Sequence, residues 1–163
     1  MAARKKKSAR KAVKKAPRRK AAATSKKAKK KNTRHQPENL RIRLLSVGYT
    51  VNDIDRSVAW YRDVLGMVVA DKWMEGGKML GASMQSGTAS IWLGQDDWKM
   101  GRDRVKGVGV RIYCKTAQDV DKIAAGVKAR GGKLDHEPET QSWGARDFGI
   151  TDPDGYRITV STL

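Results

Sequence analysis

Apolar residues recur along the chain with two alternating periods. Strand-like runs, rich in β-branched and aromatic residues, cover Leu44–Val51, Met67–Met74, Lys78–Gln85 and Ala89–Leu93. A second set covers Val108–Cys114, Lys133–Glu137, Ala145–Thr151 and Arg157–Ser161. Between the first and second run of each set the period becomes helical. Val120, Ile123, Ala124 and Val127 fall at i, i+3, i+4 and i+7, while Val58, Tyr61 and Leu65 face one way. Thr116 and Asp119 have the spacing of a capping box, with Asp in place of Glu, and Gly131-Gly132 ends that helix. Gly66 takes the position just beyond the first helix. Gly76-Gly77, Ser86-Gly87 and Asp152-Pro153-Asp154-Gly155 supply turns.

The order strand, helix, three strands is thus written twice. The copies also share residues. Asn52-Asp53-Ile54-Asp55-Arg56, with Ala59, Arg62 and Gly66, corresponds to Gln118-Asp119-Val120-Asp121-Lys122, with Ala125, Lys128 and Gly132, at a constant offset of 66. An α+β domain of two tandem βαβββ units that bury their apolar faces against each other follows from the pattern alone.

Charge adds a second region. Residues 1–37 hold 17 Lys+Arg and no acidic residue, whereas residues 38–163 hold 18 Lys+Arg against all 17 Asp+Glu. The net charge of +18 therefore belongs almost wholly to the N-terminal arm. Val13 is its one sizeable aliphatic side chain, too little apolar surface to offset the entropy of ordering. The reading is a disordered basic tail over residues 1–38 and one domain over residues 39–163. The tail cations Arg4, Lys5, Lys6, Lys7, Arg10, Lys11, Lys14, Lys15, Arg18, Arg19, Lys20, Lys26, Lys27, Lys29, Lys30 and Lys31 are the candidates for binding nucleic acid or another polyanion. An anionic lipid surface would use the same physics, and a merely solvated charge run is the plain alternative.

Cys114 is the sole cysteine, so no intrachain disulfide forms, which fits a reducing cytoplasm. Nucleoid association through the tail is left open. No apolar run reaches the roughly 20 residues that span a bilayer, and the N-terminus lacks the apolar segment of a secretory signal.

The segment Asp53-Ile54-Asp55-Arg56-Ser57-Val58-Ala59-Trp60-Tyr61-Arg62-Asp63-Val64-Leu65-Gly66 resembles the opening helix of the glyoxalase/bleomycin-resistance/dioxygenase superfamily, the vicinal oxygen chelate proteins. Trp143-Gly144-Ala145-Arg146-Asp147-Phe148 and Asp152-Pro153-Asp154-Gly155-Tyr156-Arg157-Ile158 are similar to its closing motif. The resemblance covers residues 42–162 and implies that the two units form a cupped mixed sheet. It speaks for fold more than chemistry, since such folds host many activities.

Metal-dependent members of that superfamily hold their ion with His or Glu side chains from the strands. By resemblance those positions fall on Ser46, on Arg111 or Ile112, on Thr159, and on Ile91 or Trp92; none carries His, Glu, Asp or Cys. His35 and His136 are the two histidines, and only His136 lies in the domain. Imidazole or carboxylate donors must converge for a first-row metal, so the metal site reads as absent and no cofactor is expected.

A cup without a metal is a pocket for a small molecule. Trp92, Trp143 and Arg111 are the expected lining, with Ser46 and Thr159 as polar contacts. Arg146 of the closing motif joins them, although an ion pair with its neighbour Asp147 explains it structurally. A Trp on a strand is as readily core packing, and Trp73 and Trp98 suit a dimer contact or a pocket rim. Asp152 and Asp154 read as turn formers, Cys114 as a small buried hydrophobe, and His136 as a loop residue rather than a general base. The resemblance implies a homodimer. The leading expectation is a metal-independent, small-molecule-binding domain carried on a polyanion-binding tail. Its rivals are a metal-dependent lyase, isomerase or dioxygenase with an atypical site, and a nucleoid protein whose domain only dimerises.

Overall fold

The computed structural model describes Ile42 and residues 44–163; the basic tail expected over residues 1–38 lies outside them. All eight expected strands and both helices are present. They are β1 Val47–Val51, α1 Ile54–Trp60, β2 Val68–Glu75, β3 Lys78–Ser86, β4 Ala89–Gln95, β5 Arg111–Thr116, α2 Val120–Ala129, β6 Leu134–Thr140, β7 Arg146–Thr151 and β8 Arg157–Thr162. Among the described residues no helix is long and apolar enough to cross a membrane.

The repeated Asp residues explain where the helices start. Asp53 accepts from the Arg56 amide at 3.0 Å, and Asp119 accepts from Asp121 and Lys122 at 3.0 and 3.2 Å. Each satisfies amides that a helix start leaves unpaired. The capping box is thereby corrected. Asp119 is itself the N-cap, while Thr116 holds the Gln118 amide just ahead of it at 3.1 Å. Helix α1 continues as a wider π turn over Tyr61–Leu65, closed by Gly66 at φ 86, a left-handed conformation in which glycine meets no Cβ penalty.

Each repeat makes one four-stranded mixed sheet, in the orders β1-β4-β3-β2 and β5-β8-β7-β6. The parallel pairs β1–β4 and β5–β8 lie at equivalent places. Strand alternation then sorts the side chains. Val51, Ala82, Met84, Ile91 and Leu93 of the first sheet are buried, as are Ile112, Phe148, Ile150, Ile158 and Val160 of the second. With Val58, Tyr61, Val120, Ala124 and Val127 of the helical segments they form one core.

Polar clamps join the repeats. The Asp154 carboxylate accepts from the Asn52 amide at 2.7 Å and the Ser57 hydroxyl at 2.8 Å. Arg130 donates to the Val64 carbonyl at 3.0 Å. Asp152 and Asp154 do form the expected turn, and they also fasten it to the other half of the domain. His136 lies within β6, so the strand expectation for that segment stands over the loop reading of the residue.

Candidate functional site

Each sheet has a face turned away from the core, and the register says what it carries. On the first sheet, Gly48 and Thr50 stand opposite Trp92 and Gly94 across β1–β4, and Gly81 and Ser83 stand opposite Gly94 and Trp92 across β3–β4. A cleft of about 370 Å³ lies here, its walls including Trp73, Trp92, Thr50 and Gln95, with Gly48, Gly81 and Gly94 along its floor. Trp73 and Trp92 remain 60% and 43% exposed. The missing side chains make the hollow. A Cβ on Gly48 would sit 3.7 Å from the Trp92 side chain, and one on Gly81 would press to 3.2 Å from the Leu93 carbonyl oxygen. An apolar floor beside two open indole rings suits a flat organic molecule. A larger, more polar hollow of about 550 Å³ lies by Asp53, Asp55, Lys72 and Lys78, and it contains no tryptophan.

The corresponding face of the second sheet is polar. Arg111, Tyr113 and Lys115 of β5 face Arg157, Thr159 and Ser161 of β8 across the parallel ladder. Of the two alternatives at the family's second position, Ile112 is buried in the core and Arg111 is exposed on the open face. Arg111 Nη1 donates to Thr159 Oγ1 at 3.2 Å, so these two predicted residues do meet. Gly149 leaves room on β7, and the His136 ring fills it: a Cβ on Gly149 would lie 2.8 Å from His136 Cδ2.

The other expected residues are placed elsewhere. Ser46 is exposed just before β1, two residues from Gly48. Trp143 is 73% exposed in the turn between β6 and β7. Arg146 closes on Asp121 of α2 at 2.6 Å, and Asp147 instead accepts from Gln141 at 2.9 Å. The ion pair expected between Arg146 and Asp147 does not form, because successive strand residues point to opposite faces. Trp98 lies outside the cleft lining, in the loop after β4, beneath the Arg102 guanidinium at 4.8 Å.

A buried hydroxyl chain was not readable from the residues. Tyr49 hydrogen-bonds Tyr61, and Tyr61 donates to Asp152 at 2.9 Å. Burial pushes both phenols far above their ordinary range and also raises the Asp152 carboxyl. Cys114 is half-buried in β5 rather than fully enclosed, and burial raises its thiol, which keeps it protonated and a poor nucleophile.

At the positions given by resemblance the open faces offer a hydroxyl, a guanidinium and an indole. Among the described residues no group of three or more His, Cys, Asp or Glu side chains could hold a metal ion. This donor set does not fit a divalent first-row metal.

A family model described as the Glyoxalase/Bleomycin resistance protein/Dioxygenase superfamily matches residues 43–160. The chain is 32% identical over 127 residues to a probable chloroplastic lactoylglutathione lyase of Arabidopsis thaliana, covering 76% of this chain and 36% of that protein. It is 29% identical over 132 residues to a second lactoylglutathione lyase of the same plant, covering 76% and 45%. The chain thus spans less than half the length of these relatives. Among solved structures, an integron cassette protein from the mobile metagenome of V. cholerae superposes with a TM-score of 0.57 at 25% identity, covering 76% of this chain and 98% of that one. A protein from Sphaerobacter thermophilus superposes at 0.61 with 20% identity, covering 76% and 98%, a likeness of fold alone.

Proposed function

The chain belongs to the glyoxalase/bleomycin resistance protein/dioxygenase superfamily, and from that membership we propose that its domain binds a small molecule on its open β faces without a metal ion. The observation that carries this reading is the pairing of a tryptophan-walled cleft with a donor set that, among the described residues, does not fit a divalent first-row metal. Trp92 is the principal contact and Trp73 the opposing wall on the first sheet, while Arg111 and Thr159 form a separate polar contact surface on the second. Ser46, Trp143 and Arg146 keep lesser roles: Ser46 as an exposed hydroxyl just before β1, Trp143 as an exposed ring, and Arg146 as the brace of β7 on α2.

The plant relatives favour a second reading, a lyase. Metal content separates the two. Purified full-length chain should hold far less than one equivalent of zinc, nickel, manganese or iron by mass spectrometry, and its melting temperature should not respond to these ions. Stoichiometric metal with a melting temperature raised by several degrees would favour the lyase.

We further propose that the tail holds the domain on nucleic acid or another polyanion, in a reducing cytoplasm, and that the protein is a homodimer. Exposed Val68 and Met74 on edge strand β2 provide an apolar surface for such pairing. Seventeen tail cations give the polyanion reading a salt signature. The logarithm of DNA affinity should fall steeply with the logarithm of salt, by about 0.9 per phosphate neutralised. A chain truncated to begin at Asn39 should lose most of both affinity and slope. Equal binding by the two chains would remove the tail from the account.

A further inference from the structure

Strands β5 and β8 run parallel with Arg111 opposite Arg157 and Tyr113 opposite Thr159. Register partners leave a sheet on the same side, and the buried pair Ile112–Ile158 marks the other side as the core. The two arginines therefore stand side by side on the open face, on strands about 4.8 Å apart. Both are exposed, and neither makes an ion pair with a described residue. By contrast, Arg62, Arg104 and Arg146 each close on a carboxylate at 2.6 Å.

Like charges set directly across two strands are unfavourable, and a sequence that keeps such a local conflict commonly does so at a functional site. Arg111 is also held in place. Its Nη1 donates to the hydroxyl of Thr159, a residue only 4% exposed, so the hydroxyl acts from within the sheet surface. Along this row the next strand offers Thr151, whose hydroxyl donates to Asp135 at 2.8 Å and so draws that carboxylate toward itself. Exposed Tyr113 stands on the neighbouring row. Guanidinium groups present N–H donors in a planar fork that matches the oxygens of a carboxylate or a phosphate. Two such forks, unpaired and with one of them fixed, make a receptor for an oxyanion.

We propose that Arg111 and Arg157 form an oxyanion-recognition site for the carboxylate or phosphate group of a small ligand, with Thr159 positioning Arg111. Arg111 then supplies positive charge at a position where the resemblance places a metal ligand, with Arg157 beside it. This rests on the reading of the domain as a metal-independent small-molecule binder, and it adds that the ligand is anionic.

The test follows arginine Nε–Hε signals by NMR in the full-length chain, with Arg111 and Arg157 assigned by their loss in Arg111→Gln and Arg157→Gln. Inorganic phosphate, acetate and chloride are titrated at matched ionic strength. Both signals should move together and saturate with phosphate or with acetate, which identifies the preferred oxyanion, while that of Arg62 stays still. Arg157→Gln should weaken the midpoint read at Arg111 about tenfold. Thr159→Val should weaken it less, with the melting temperature unchanged. A non-saturating drift equal to that in chloride, or a midpoint indifferent to Arg157→Gln, would overturn the site. Failure here together with metal-free ligand binding at Trp92 would leave the broader reading intact, because the two sites lie on different sheets.

Discussion

Asp96 and Asp152 are both 4% exposed, and their surroundings push them in opposite directions. Asp96 takes Lys106 Nζ at 2.5 Å, the Trp98 amide at 2.9 Å and Arg104 Nη2 at 2.6 Å, and these donors hold its carboxyl far below the usual range. Asp152 is raised by burial, against the opposing hydrogen bonds from the Tyr156 amide, Tyr61 and the Asp154 amide. A carboxyl lowered on folding contributes stability above its unfolded pKa, and that contribution fades as pH falls toward the folded value. Asp152 carries the opposite sign, contributing most at low pH and losing it as pH rises. In Asp96→Asn the Lys106 ammonium, with its side chain 2% exposed, loses its carboxylate partner. The variant should therefore melt well below the parent at pH 7, and the gap should narrow as pH falls below about 4. Parallel melting curves across that range would refute the assignment. Sequence marked Asp53 and Asp119 as equivalent positions of the repeat, and the structure made each of them the N-cap of its helix. Sequence could not show Asp96 and Lys106 as buried partners, because charges in a connector ordinarily remain solvated and only the folded-back chain encloses these two.

At the scale of elements, that connector is pinned by a close backbone approach. Gly107 and Gly109 share a φ of 73°, yet only Gly107 packs against another segment. A Cβ on Gly107 would lie 2.2 Å from the Gly155 carbonyl oxygen, whereas one on Gly109 would meet nothing within 4 Å. Alanine at Gly109 should cost only the left-handed strain, about 1 kcal/mol. Alanine at Gly107 adds a clash of backbone with Cβ and should cost about 2 kcal/mol more. Urea denaturation measures both, and equal losses would show that the approach does not matter. The same glycines explain a boundary the sequence misplaces. A strand is expected from Val108, but positive φ at Gly107 and Gly109 keeps the chain out of extended form, and β5 begins at Arg111. Likewise β1 begins at Val47 rather than Leu44, since its ladder on β4 starts with Val47 opposite Ile91.

For the whole molecule, the twofold pattern of runs and the offset of 66 make both βαβββ units legible in the sequence. The open faces are not. Whether Arg111 or Ile112 faces outward depends on register with β8, and the glycine floor under Trp92 depends on three strands meeting. Pattern gives the period of a strand but not its partner, so residue positions could be named while the surfaces they compose could not. The central claim, that this domain takes a small molecule at its tryptophan face without a metal, is tested by a thermal-shift screen of the full-length chain in EDTA, repeated on Trp92→Ala. The account predicts compounds that raise the melting temperature in EDTA and lose most of that effect in Trp92→Ala. Stabilisation that requires added zinc or nickel, or that is indifferent to Trp92→Ala, would contradict it.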